Sequence, residues 1–123
     1  MFYSETLPKS PASAGAAREL LERVRDSLPG RALEDARLLI SELVANAVEH
    51  VREDGEIEVR VALEDGVLRV EVLDPGPGFE YDPRADGDAK ERGWGLRFAQ
   101  RVASRWGKDR EERARVWFEL RTS

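Results

Sequence analysis

At 123 residues the chain has the length of one ordinary domain, and its 41% of hydrophobic residues is enough to build a core. The charged residues, 37% of the total, are interleaved with apolar ones, which argues against disorder, and a net charge of −5 argues against direct contact with nucleic acid. The absence of cysteine excludes disulfide scaffolds, thiol nucleophiles and cysteine zinc sites, and the single histidine, His50, excludes multi-histidine metal centres.

Residues Met1 to Leu7 suit a short edge strand. After the turn-rich link Pro8, Ser10, Pro11, a helix is expected from near Ser13, with Ala17, Leu20, Leu21, Val24 and Leu28 at helical spacing and Pro29-Gly30 as its stop. A second helix is expected from about Leu33 to Val51. Its apolar stripe is Ala36, Leu39, Ile40, Leu43, Ala47 and Val51, and Glu42, Asn46 and His50 fall on an adjacent stripe at i, i+4 and i+8.

Ile57, Val59, Val61 and Leu63 alternate with polar residues, as do Leu68, Val70 and Val72, and Asp65-Gly66 between them marks a hairpin. The second of these strands ends at Asp74. From Pro75 to Gly93 lie four of the ten glycines and three of the six prolines, which marks one long functional loop. A third helix is expected from Gly95 to about Trp106, stopped by Gly107, then a solvated turn over Lys108 to Arg113. A closing strand follows with Ala114, Val116, Phe118 and Leu120 inward. No repeat or boundary divides residues 1–123, so a single α+β domain with two layers is expected. No apolar run approaches the ~20 residues needed to cross a bilayer. The N-terminus lacks the basic start and apolar stretch of a signal peptide. A cytoplasmic setting is therefore expected.

The residues with chemistry fall into three groups. Asp74-Pro75-Gly76-Pro77-Gly78 sets a carboxylate at a strand end, where it can accept from an amino group, beside glycines that let backbone approach a flat ligand. Taken alone it reads equally as a plain turn. Gly93-Trp94-Gly95 opens a helix whose free N–H groups suit an anion, with Lys90 and Arg92 just upstream. Glu42 and Asn46 stand one turn apart. An asparagine oxygen is a hard neutral ligand for Mg²⁺, and a neighbouring glutamate can take a proton from an attacking hydroxyl. Asparagine between Ala45 and Ala47 is a poor helix residue unless its side chain has a task. His50 and the tryptophans are expected to be structural, although Trp94 lies between two loop glycines.

The ordered set Glu42-x-x-x-Asn46, Asp74-x-Gly76-x-Gly78 and Gly93-x-Gly95 resembles the three nucleotide-binding boxes of the GHKL ATPase superfamily, which includes gyrase and the histidine kinases. Within it the chain is most similar to the stand-alone anti-sigma-factor serine kinases. It is one domain long, and its link between the Asp74 and Gly93 loops is short. Its ending, Ser104 to Gly107 and Val116 to Leu120, is also similar, and Pro8 to Ala17 leads directly into the first helix.

The resemblance implies a GHKL-type two-layer α/β sandwich, with a mixed, mostly antiparallel sheet and helices on one face. It implies ATP and Mg²⁺, with Asn46 on the metal, Glu42 as general base for a substrate serine, and Asp74 receiving the adenine amino group. Gly76 and Gly78 would shape the base pocket, and Gly93 and Gly95 would hinge the lid and meet the phosphates. Glu91 separates Lys90 from Arg92, which leaves open which cation serves the γ-phosphate. The implied partners are an anti-anti-sigma (STAS-like) protein and a sigma factor, and members are commonly homodimers. Three alternatives stay open: an ATP-binding regulatory module without turnover, a detached histidine-kinase catalytic domain, and a domain that binds no nucleotide.

Overall fold

Alternation decides the sheet. The computed structural model describes residues 1–50, 55–74, 101–110 and 112–122, with 49, 50 and 110 described by backbone alone. Along β2 (Glu56–Glu64) the buried residues are Ile57, Val59, Val61 and Leu63, and along β3 (Val67–Asp74) they include Leu68, Val70 and Val72. The intervening Glu58, Arg60, Arg69 and Glu71 take the other side. Asp65 and Gly66, which join the strands, sit at φ 52° and 75°. That left-handed pair is what a two-residue hairpin needs, and Asp-Gly supplies it at least strain.

β1 (Phe2–Pro8) pairs with β2 at one edge, β5 (Ala114–Arg121) pairs with β3, and β4 (Arg105–Arg110) pairs with β5 at the other edge. The five-stranded order is β1-β2-β3-β5-β4, and every pairing among the described residues is antiparallel.

Two helices cover one face. α1 (Ser13–Glu22) starts where the spacing predicts, after a tied link: Ser10 N donates to Pro8 O at 2.9 Å, Ser13 N to Ser10 O at 2.9 Å, and the buried Ser13 hydroxyl also donates to Pro8 O. The helix was expected to reach Leu28 but ends at Glu22, and a short 3₁₀ turn over Arg25–Ser27 follows. Val24 and Leu28 remain buried, so the apolar pattern persists while the backbone winds more tightly.

α2 (Gly30–His50) begins at Gly30, and Leu33 N donates to Pro29 O at 3.0 Å. Pro29-Gly30, expected only to stop one helix, thus also starts the next. The α2 stripe Ala36, Leu39, Ile40, Leu43, Val44 and Ala47 is buried. α1 packs on β1 and β2, α2 on β3 and β5, and the helices pack on each other. The core between the layers is centred on residues such as Phe118, Leu39 and Ile40, all fully buried. Among the described residues no helix is long and apolar enough to cross a membrane.

One expected element is corrected. Of the helix expected over Gly95 to Trp106, residues 95–100 lie outside the described residues. Arg101 and Val102 are helical, but Trp106 and Gly107 belong to β4, and Lys108 to Arg110 continue that strand in place of the expected turn. The physical reason is the edge. A strand with one neighbour tolerates charges that keep it from pairing further. Gly107 is there to admit Trp117, since a Cβ at Gly107 would stand 2.7 Å from that ring.

Among the described residues the other face of the sheet carries no helix, and it is polar. Arg60 Nε meets Glu58 at 2.6 Å, Arg69 bridges Glu71 at 2.8 Å and Glu119 at 2.9 Å, and Arg115 reaches Asp109. Trp117 lies among them, with the Arg69 guanidinium 4.1 Å from its ring centre. The Arg60 hydrogen bond holds the Glu58 carboxyl below the usual carboxylate range, with Arg113 adding to it, and Arg115 does the same for Asp109.

Candidate functional site

Among the described residues three polar side chains are buried: Ser13, Asn46 and Asp74. Ser13 is accounted for by its bond to Pro8. The other two are residues that the motif assigns to a nucleotide.

Asn46 sits on α2 between the buried Leu43 and Ala47, and is 5% exposed. Its Nδ2 is sealed from solvent and donates no hydrogen bond among the described residues. Leaving an amide donor unmet in an interior costs about 1–3 kcal/mol, so a buried group of this kind calls for a partner such as a ligand or an ordered water. Glu42, one turn earlier, is half-buried, and no cation or donor pairs with its carboxylate among the described residues.

Asp74 follows from the same alternation as the core. Leu68, Val70 and Val72 point at the helices, and Asp74 is the next member of that series, placing a carboxylate where another core side chain would stand. Its register partner in β5 is Ala114, which adds little bulk. Asp74 is 4% exposed, and its Oδ1 lies 3.3 Å from the ammonium of Lys9, a side chain itself only 10% exposed.

Lys9 was not foreseen. A lysine between Pro8 and Ser10 reads as an exposed turn residue. The only clue was its place between a strand and a helix start that must both pack inward. The structure thus brings Lys9 and Asp74 together, and sets Asn46 and Asp74 into the same helix–sheet layer. Gly76, Gly78, Lys90, Arg92, Gly93 and Gly95 lie outside the described residues, as does the side chain of His50.

These donors fit a nucleotide with its metal. No group of three or more carboxylate or imidazole side chains among the described residues could hold an ion unaided. A single amide oxygen from Asn46 suits Mg²⁺, which keeps several waters and is usually shared with phosphates. A shallow depression on the polar face, lined by Arg60, Leu73, Asp109, Glu112, Arg113 and Arg115, is a weaker candidate. Its arginines are already engaged with Glu58, Glu71 and Asp109.

The described residues thus form a two-layer α+β domain with a buried carboxylate at a strand end and a buried asparagine on a helix packed against the sheet. A family profile described as "Histidine kinase-like ATPase domain" matches residues 7–118, and the chain belongs to that family. The serine-protein kinase RsbW of Listeria monocytogenes is 32% identical over 83 residues, covering 63% of this chain and 53% of that protein. RsbW of Bacillus velezensis is likewise 32% identical over 83 residues, covering 63% and 52%. The matched stretch spans about half the length of these curated relatives. Among solved structures, a blue-light activated histidine kinase of Erythrobacter litoralis superposes with a TM-score of 0.61 at 24% identity, covering 78% of this chain and 32% of that one. Its separate kinase domain gives 0.59 at 18% identity, covering 94% and 61%. Both share the fold.

Proposed function

We propose that residues 1–123 form a single domain that binds ATP with Mg²⁺ and phosphorylates a serine of a partner protein, as an anti-sigma-factor kinase. The observation that carries this reading is the burial of Asn46 and Asp74, on two different elements, at the positions the nucleotide boxes assign. The relatives named serine-protein kinase support the reaction class.

In this reading Asp74 accepts the amino group of the base, with Gly76 and Gly78 beside it. Asn46 holds the metal, and Lys90 or Arg92 with Gly93 and Gly95 meets the phosphates. The metal, when bound, offsets charge on the transferring phosphate. Glu42, whose carboxylate is uncommitted among the described residues, receives the proton of the serine hydroxyl. Positioning and charge neutralisation supply most of the catalysis. The partners are a STAS-like protein carrying the serine and a sigma factor bound by the kinase.

Calorimetric titration with ADP or ATP and Mg²⁺ tests the binding. The wild type is expected to bind, and Asp74→Ala to weaken ADP by at least about ten-fold. Label from γ-labelled ATP is expected to reach a STAS-like protein in acid-stable form, and Glu42→Ala to stop transfer while nucleotide stays bound. Binding without transfer would leave a regulatory module, and an acid-labile product would identify a histidine kinase. No binding at millimolar nucleotide overturns the reading.

A further inference from the structure

The ion pair at Asp74 assigns a task to Lys9. It rests on the nucleotide reading above and concerns how the base is recognised. The link carrying Lys9 is held by the Ser10-to-Pro8 and Ser13-to-Ser10 backbone bonds, both 2.9 Å, and by the Ser13 hydroxyl on Pro8 O. These ties fix the backbone from which Lys9 extends. Its ammonium then stands 3.3 Å from Asp74 Oδ1, with both side chains nearly buried.

A carboxylate alone offers a base only an acceptor. A carboxylate with an ammonium at its side offers an acceptor and a donor a few ångströms apart. The Watson–Crick edge of adenine presents the complement, the N6 amino group as donor and N1 as acceptor. Lysine carries three N–H donors and no acceptor, so it can keep its bond to Asp74 and still direct a proton at N1. We infer that Lys9 is a base-recognition residue that donates to N1 of the adenine while Asp74 accepts from N6.

A buried ion pair that served only the fold would make no distinction between adenine and an analogue lacking N1. The experiment therefore compares ADP with 1-deaza-ADP, in which N1 is a C–H, by calorimetry with Mg²⁺ on the wild type and on Lys9→Met. The wild type is expected to prefer ADP by about ten-fold or more, the range of a charge-assisted hydrogen bond. In Lys9→Met the preference is expected to disappear, while Lys9→Arg keeps part of it. Equal affinities in the wild type, or an undiminished preference in Lys9→Met, overturn the role of Lys9 and leave the nucleotide reading standing. Wild-type protein that binds neither ligand overturns both.

Removing Lys9 leaves a buried carboxylate uncompensated and can prevent folding. A second measurement therefore uses the wild type alone, with lysine isotopically labelled and the Lys9 ammonium resonance followed by NMR. Its protons are expected to move further downfield and to exchange more slowly with water with ADP bound than with 1-deaza-ADP bound. The same shift with both ligands overturns the inference.

Discussion

The two faces of one sheet follow opposite rules. Beneath the helices β2, β3 and β5 present Val, Leu, Ile and Phe, and the one charged residue of those strands buried there, Asp74, is the exception. On the bare face the same strands present arginine and glutamate in a paired lattice around Trp117. Neighbouring residues make the contrast sharpest. Leu73 lines the arginine-rich depression, while Asp74 turns to the helices and meets Lys9. In the apolar layer each buried polar group stands out against its neighbours, and the proposed function assigns Asn46 and Asp74 to a nucleotide. In the charged layer arginines and carboxylates pair with one another, and even Glu71 Oε2, which accepts no hydrogen bond among the described residues, lies within 3.5 Å of Arg115 and 3.8 Å of Arg60.

Substitutions should separate the faces by size of effect. Phe118 is fully buried, so Phe118→Ala is expected to cost about 3–5 kcal/mol in urea denaturation, the largest loss of the set. Lys9→Met breaks a buried pair from one side and is expected to cost about 3 kcal/mol, against little for Lys9→Arg. A Lys9→Met protein as stable as wild type would show that the two faces treat ion pairs alike. Gly107→Ala forces the Trp117 ring from its seat between Gly107 and Arg69, at about 1–2 kcal/mol. A change in tryptophan emission should accompany it.

Glu58→Gln on the bare face is expected to cost only about 0.5 kcal/mol at pH 7, because its partners remain partly in water. The sign with pH follows from the lowered carboxyls of Glu58 and Asp109. Their contribution is present above the ordinary carboxylate pKa and is lost as pH falls through the lowered value. Thermal melts of wild type and Glu58→Gln should therefore converge as the pH is taken below the ordinary carboxylate range. High salt should narrow the gap at pH 7.

What could be read from the sequence tracks these faces. The core stripe of α2, the hairpin at Asp65-Gly66 and the start of α1 were legible because period and turn chemistry agree locally. Asn46 stood out as a poor helix residue between two alanines, and Asp74 as a carboxylate at a strand end beside glycines; the structure buries both. β4 was not legible, since Arg105 to Arg110 shows no alternation of apolar residues, and Gly107 looks like a helix stop until Trp117 is placed over it. Lys9 was illegible because its partner stands far along the chain, and no local rule links a turn lysine to a strand end.

The strand order also has a consequence in time. β2 and β3 adjoin through a two-residue turn, so that hairpin can form early, whereas β1 joins β2 only across the whole of α1 and α2. Closing so long an intervening segment is entropically slow. Lys9 rides at the end of β1, so Asp74 is in place before its counter-ion arrives. In stopped-flow refolding the hairpin should therefore gain protection from hydrogen exchange first, and competence to bind nucleotide should lag until the first strand docks.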